Sequence, residues 1–214
     1  MHKQAIGETS LRLTIFTDQQ GLLRVTYRGG RTSKKQALLQ AFTLLWVELD
    51  PRSNHYIRHL ECNTLSVFLI GKSLFSALYV NELLSYTQCV HEPNIVLYNA
   101  YVDTLHKLAQ TDNQSQIERI LRHFELKWLA AQGYALALSN EIDAKLYYVF
   151  IPDQGFIAAQ RGYLGAHIIA LQAGYWDTSE VLHILKIITR SAIQHALGGR
   201  LIKTRAIYST LCSH

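Results

Sequence analysis

The sequence predicts an α+β protein in which a small all-β part is followed by a mostly helical one. Three observations predict it. Apolar and polar residues alternate with period two through the first third of the chain, as in strands with one buried face. After Gly71 the apolar residues recur at helical spacing instead. Within the helical part, the turn-forming run Pro152-Asp153-Gln154-Gly155 marks a single hairpin.

Leu11-Arg12-Leu13-Thr14-Ile15-Phe16 and Leu23-Arg24-Val25-Thr26-Tyr27-Arg28 are the first two strands, joined by a turn from Asp18 to Gly21. Extended runs follow from Phe42 to Leu49 and from Tyr56 to Cys62, split by Asp50-Pro51-Arg52-Ser53-Asn54. Four or more short strands within about 70 residues define a small barrel or a sandwich. A helix then starts with Ser73 as its N-cap and carries Leu74, Ala77, Leu78 and Leu84. The next, Asn94 to Leu108, repeats apolar residues at Leu97, Tyr101, Leu105 and Leu108. A third, Gln114 to Gln132, puts Ile117, Ile120, Leu121, Phe124 and Trp128 on one face and stops at Gly133. Lys145 to Ala158 forms the hairpin, and Thr178 to Leu197 a last long helix closed by Gly198-Gly199. The change of period divides the chain into residues 1–72 and 73–214.

With 214 residues, 49% hydrophobic and 17% charged, the chain has enough apolar content to fold as one large or two small domains. No run approaches the roughly 18 to 20 apolar residues of a membrane span, and the first ten residues lack a signal core, so a cytoplasmic protein is expected. Cys62, Cys89 and Cys212 are far apart with no C-x-x-C pair, which encodes neither a disulfide framework nor a cysteine zinc knuckle. The ten histidines show no metal-ligand spacing. Neither a metal nor another cofactor is expected.

Enzymatic motifs are missing. Gly71-Lys72-Ser73 would need a glycine five residues before Gly71 to make a phosphate loop, and Ser66 stands there; a strand end and helix cap are expected, with Val67-Phe68-Leu69-Ile70 in a core. No G-x-S-x-G elbow is present. Glu118 and Glu125 share a helix face but lie about two turns, roughly 10 Å, apart, which fits surface ion pairs better than paired catalytic carboxylates. A noncatalytic protein is expected.

Charge is more informative. Of the formal +5, the whole excess lies in residues 1–72, with ten Lys/Arg against five Asp/Glu; the remainder is balanced at eleven each. Residues 186–205 nevertheless hold Lys186, Arg190, Arg200, Lys203 and Arg205 with no acid. Two basic surfaces suit a polyanion partner, and they equally suit solvated faces of a basic protein. The stronger cluster is Arg24, Arg28, Arg31, Lys34 and Lys35. Arg24, Thr26 and Arg28 share one strand face, and Gly29-Gly30 leads into a basic loop that can follow a phosphate backbone. Tyr27 is either a core residue or a base-stacking platform. On the last helix Lys186 and Arg190 are four apart on one face; a C-terminal charge bias accounts poorly for Arg190, which is mid-helix.

A set of short motifs, in order, resembles one family. Gly7-Glu8-Thr9-Ser10-Leu11, Phe16-Thr17 with Gly21, Arg28-Gly29-Gly30-Arg31, Leu39-Gln40-Ala41-Phe42, Tyr79-Val80-Asn81-Glu82-Leu83-Leu84, Leu121-Arg122-His123-Phe124-Glu125-Leu126, Gly133-Tyr134, Gly155-Phe156-Ile157-Ala158 and Leu197-Gly198-Gly199-Arg200 with Lys203-Thr204-Arg205 are similar to those of RecO proteins, from Gly7 to about Leu211. The resemblance implies an amino-terminal OB-fold and a helical carboxy-terminal domain. It implies a recombination mediator at the nucleoid that binds single- and double-stranded DNA and anneals complementary strands. Such a mediator associates with RecR and helps RecA replace single-stranded DNA-binding protein. It also implies that the acidic tail of that binding protein is received at Leu121 and Arg122, where an arginine beside apolar residues suits a terminal carboxylate; plain helix core is the other reading of Leu121.

Two departures accompany the resemblance. Many relatives carry a cysteine zinc site after the Gly-Tyr motif, but Ser139-Asn140-Glu141 stands here, so the zinc-free type is expected. Relatives also have a strand before Gly-Glu-Thr-Ser, for which only Met1 to Ile6 is available, so a barrel lacking its first strand is an open alternative, explicable by an upstream start or a truncated gene. The rival function is a protein-interaction adaptor whose degenerate barrel no longer holds DNA.

Overall fold

The computed structural model describes residues 2–62, 67–87, 92–134, 136, 141–205 and 207. Ser66, Cys89, Ser139, Asn140, Leu211 and Cys212, which figure in the sequence reading, lie outside the described residues. The chain divides into two compact units, residues 1–77 with 87–110 and residues 78–86 with 111–214.

The first unit is built on β1 (His2–Ile6), β2 (Ser10–Thr17), β3 (Gly21–Tyr27), α1 (Ser33–Leu38), β4 (Trp46–Asp50) and β5 (Ser53–Glu61). The strands form one sheet in the order β1-β2-β3-β5-β4. Neighbours are antiparallel except β3 and β5, which run parallel through Thr26 and Tyr56. This order is consistent with an OB-like fold; among the described residues no ladder joins β1 to β4, so the sheet is not closed into a barrel. The first strand, whose absence the sequence left open, is present. Five residues suffice because the Gly7-Glu8-Thr9 turn brings His2–Ile6 into register with Ser10 to Thr14.

Period-two alternation sends Leu11, Leu13, Leu23, Val25 and Tyr27 into a core completed by Leu39, Ile57 and Leu60. Tyr27 is thus core. The third extended run is shorter than expected: Phe42 sits buried in a turn at φ 62°, and the strand begins only at Trp46. The basic loop after Gly30 is partly helical, since Lys34 and Lys35 fall within α1. Val67-Phe68-Leu69-Ile70 is not a core stretch: Leu69 is buried, but Phe68 and Ile70 are 80% and 67% exposed.

Next come α2 (Gly71–Ser85), which contributes to both units, and α3 (Ile95–Ala109), which belongs to the first. α2 starts two residues before the expected cap, so Ser73 is a buried first-turn residue, and Leu78 faces outward, on the side opposite Val80, Leu83 and Leu84. Asn94 caps α3 by accepting the Leu97 amide at 2.9 Å, and Leu97, Tyr101, Leu105 and Leu108 are buried as their spacing predicts. Tyr98 and Tyr101 pack on Phe16 of β2, with ring centroids 5.7 and 6.0 Å away.

The second unit holds α4 (Gln114–Ala131), the three-stranded sheet of β6 (Tyr147–Ile151), β7 (Gly155–Ala159) and β8 (Tyr163–Leu164), then α5 (Gly165–Gln172) and α6 (Ser179–Ala196). α4 stops at Gly133, whose φ of 84° lets the Tyr134 amide reach back to the Leu129 carbonyl. The hairpin turns through Asp153 and Gly155, both at positive φ. Tyr148 and Phe156 of the hairpin pack with Ile168, Leu171 and the α6 residues Val181, Ile184, Leu185 and Ile188.

Candidate nucleic-acid interface

The strand register puts a basic surface on the outer face of the first unit. Arg24 and Arg28 are exposed at alternate positions around Thr26, while Leu23, Val25 and Tyr27 point inward. Arg12 on β2 pairs with Thr26, which sets it diagonally between the two arginines, within about 8 Å by sheet geometry. Among the described residues none of the three has an acidic partner. Sequence reasoning missed Arg12, although its position in Leu11-Arg12-Leu13 carried the signal. It also missed Tyr56, whose ring lies under the Arg28 guanidinium at 4.2 Å. A parallel pairing between distant strands leaves no local trace in sequence.

Arg31 is exposed but committed. Its guanidinium donates to the Gly7 carbonyl at 2.7 Å, and its amide to the Thr9 carbonyl at 3.1 Å. The Gly7-Glu8-Thr9 and Arg28-Gly29-Gly30-Arg31 motifs therefore meet, one holding the other. Lys35 reaches back to the Arg28 carbonyl and lies over the outer edge of the core at Tyr27, 4.6 Å from the ring centre. Lys34 is exposed.

The carboxy-terminal cations divide in the same way. Arg190, Arg200 and Lys203 are exposed. Lys186 is held by Glu118 at 2.7 Å. Burial works against the charged Glu118 carboxyl, but hydrogen bonds from Lys186 and Gln114 outweigh it and keep the group below its ordinary value. Arg205 turns inward, donating to the Tyr79 hydroxyl with its side chain 22% exposed. Tyr79 in turn donates to Glu125 at 2.7 Å, and Arg122 completes the cluster on the same carboxylate oxygen. Glu125 is fully buried and Arg122 nearly so, which corrects the expectation of a helix-surface ion pair at Glu125. Leu121 is half-buried. Burial first, then the Glu125 charge, pushes the Tyr79 hydroxyl well above its ordinary pKa.

Glu82 ties together two motifs that are far apart in the sequence. Its carboxylate accepts the Lys203 and Thr204 amides at 2.8 Å each and the Thr204 hydroxyl at 2.7 Å, and so caps the short helical turn at Lys203. Burial raises the Glu82 pKa, but these bonds and one from Tyr86 win, leaving it below the ordinary carboxylate value. A depressed folded-state value means the stabilisation is present above the ordinary carboxylate pKa and lost as pH falls through the folded one. Glu82→Gln is expected to cost about 1–2 kcal/mol at pH 7. In urea melts across pH, the gap to the parent should close as pH falls below the ordinary carboxylate range; a gap that persists at acid pH would count against the cap.

Among the described residues, no group of three or more His, Cys, Asp or Glu side chains is arranged to hold a metal, and no helix is long and apolar enough to cross a membrane. The described residues thus comprise an open OB-like sheet that bears exposed cations and a separate, mostly helical unit. The family model for the recombination protein O N terminal domain matches residues 1–67, and that for its C terminal domain matches residues 71–204. A DNA repair protein RecO of Legionella pneumophila (strain Corby) is 42% identical over 216 residues, covering 97% of this chain and 94% of that protein. One from Vibrio parahaemolyticus (strain RIMD 2210633) is 31% identical over 221 residues, covering 97% and 90%. The chain belongs to the RecO family of DNA repair proteins.

Proposed function

We propose that the protein is a noncatalytic recombination mediator that binds DNA on the outer face of the first unit and anneals complementary strands. In this reading it also acts with RecR to help RecA replace single-stranded DNA-binding protein. The observation that carries it is the row Arg12, Arg24 and Arg28, exposed and without acids, with Lys34 beyond the strand end. Annealing needs no bond chemistry. It needs charge neutralisation that lets two polyanions approach, through contacts weak enough to permit a register search. Lys186, Arg31 and Arg205 already serve protein acceptors, so Arg190, Arg200 and Lys203 are the cations left for a second phosphate contact. For the partner's tail, Leu121 meets its apolar end, while Arg122 is committed to Glu125. The DNA-binding module is taken as residues 1–72 and the helical partner-binding part as residues 73–214.

The test is annealing of two complementary labelled oligonucleotides, each coated with single-stranded DNA-binding protein, across a salt series. The protein is expected to accelerate annealing at low salt. Reversing Arg12, Arg24 and Lys34 to Glu should abolish the acceleration and lower the salt slope of single-strand binding by about two, at roughly 0.7 per lost phosphate contact. Unchanged affinity and slope in that variant would move the reading to a protein-interaction adaptor.

A further inference from the structure

We propose that Arg28 and Tyr56 form a base-stacking platform that makes the outer face prefer unpaired bases to duplex. This rests on the reading that the face binds nucleic acid, and adds to it a chemical selectivity that charge alone does not supply. Phosphate contacts are common to single and double strands; a free base face is offered only by a strand whose bases are unpaired.

The platform follows from the way β5 is built. Thr26 pairs with Tyr56 across the parallel junction, and both lie on the outer face. One residue further along β5 the ladder to β4 slips: Glu48 pairs with His59 and Leu49 with Ile57, so Arg58 is an extra, bulged residue. Arg58 is drawn away to Glu48 at 3.4 Å. The place beside Arg28 is thereby left to the Tyr56 ring, and the guanidinium lies 4.2 Å from its centre. Arg28 is held at its base as well, since its carbonyl accepts from Lys35 and the chain turns immediately after it through the Gly30 amide to the Tyr27 carbonyl. A guanidinium is planar and weakly hydrated, so once one face is spent on tyrosine the other remains a flat cationic surface on which a base can stack. Arg28 is exposed and among the described residues has no acid to pull it off the ring. Arg12, diagonal to it across the two strands, and Arg24, four residues back along the same strand line, are placed to hold the flanking phosphates.

The experiment compares an oligo(dT) with an abasic strand of equal length and a duplex, for the full chain and for Arg28→Lys and Tyr56→Leu. Lysine keeps the charge and loses the plane; leucine keeps apolar bulk and loses the ring. The parent protein is expected to bind oligo(dT) roughly five- to tenfold more tightly than the abasic strand, the worth of about one stacked base. Each variant should bring that ratio close to one while retaining duplex affinity and salt slope, which also shows that it is folded. A ratio that stays unchanged in both variants overturns the platform. The proposed function fails separately, through the Arg12, Arg24 and Lys34 variant, which leaves the platform residues in place.

Discussion

Replacing Glu125 with glutamine is expected to destabilise the second unit by about 3–5 kcal/mol. The Glu125 carboxylate is fully buried, and Arg122, with a side chain 6% exposed, donates to it from one turn away. The substitution keeps the volume and one acceptor but removes the negative charge that Arg122 pairs with and that lies 3.8 Å from Arg205. Arg122 is then left buried without its ion-pair partner, with Glu118 acting on it only by a longer-range attraction, and the cost is that of a poorly compensated buried cation rather than of one lost hydrogen bond. Tyr79→Phe, which removes a neutral hydroxyl that donates to the same carboxylate and accepts from Arg205 but leaves the charge pair in place, should cost about 2 kcal/mol. Urea midpoints of the two variants read the contrast. Equal small losses would mean that Arg122 reaches solvent and that the cluster is not an interior one.

Gly21→Ala is expected to cost about 2–4 kcal/mol, combining a left-handed backbone penalty with a steric one. Gly21 has φ 66°, and a Cβ there would lie 2.1 Å from the Glu92 carbonyl oxygen, a backbone atom that cannot swing aside. Glu92 immediately precedes the segment that leads to the Asn94 cap of α3, so the first turn of the sheet and the approach to that helix are in direct contact. An alanine would have to push them apart, loosening the packing of Tyr98 and Tyr101 on Phe16. The readout is the thermal midpoint together with hydrogen exchange of α3 amides. A fall confined to the turn, with α3 protection intact, would show that the two move independently.

Legibility in the sequence followed the range of the interactions. Helices α3, α4 and α6 were readable to within a residue or two because their apolar spacing, and for α4 and α6 the glycine stops Gly133 and Gly198-Gly199, are local. The basic strand face was readable for the same reason: Arg24, Thr26 and Arg28 alternate within seven residues. β1 was left open, since His2–Ile6 is exposed along nearly its whole length and carries no apolar alternation; it is a strand because β2 pairs with it. α1 was missed because none of its residues is buried. Tyr56 was missed because its partner lies on a distant strand. Arg122 and Arg205 were assigned to outside partners because charge in sequence carries no sign of burial: Arg122 is spent on Glu125 one turn away in the same helix, and Arg205 on Tyr79, far off in the chain. Phe68 and Ile70 erred in the other direction, as apolar side chains that the fold leaves in water.

The parallel contact between Thr26 and Tyr56 also fixes an order of events during folding. β2 and β3 are joined by a three-residue turn, so their hairpin and its arginines can form within microseconds of local search. Tyr56 comes to Thr26 only when a loop of about thirty residues has closed, at a greater entropic cost. A nascent or partly unfolded chain therefore displays the cations before it possesses the ring that holds Arg28 flat. On the proposed reading, such a chain would meet polyanions by charge alone, and base discrimination would follow once Tyr56 has reached Thr26.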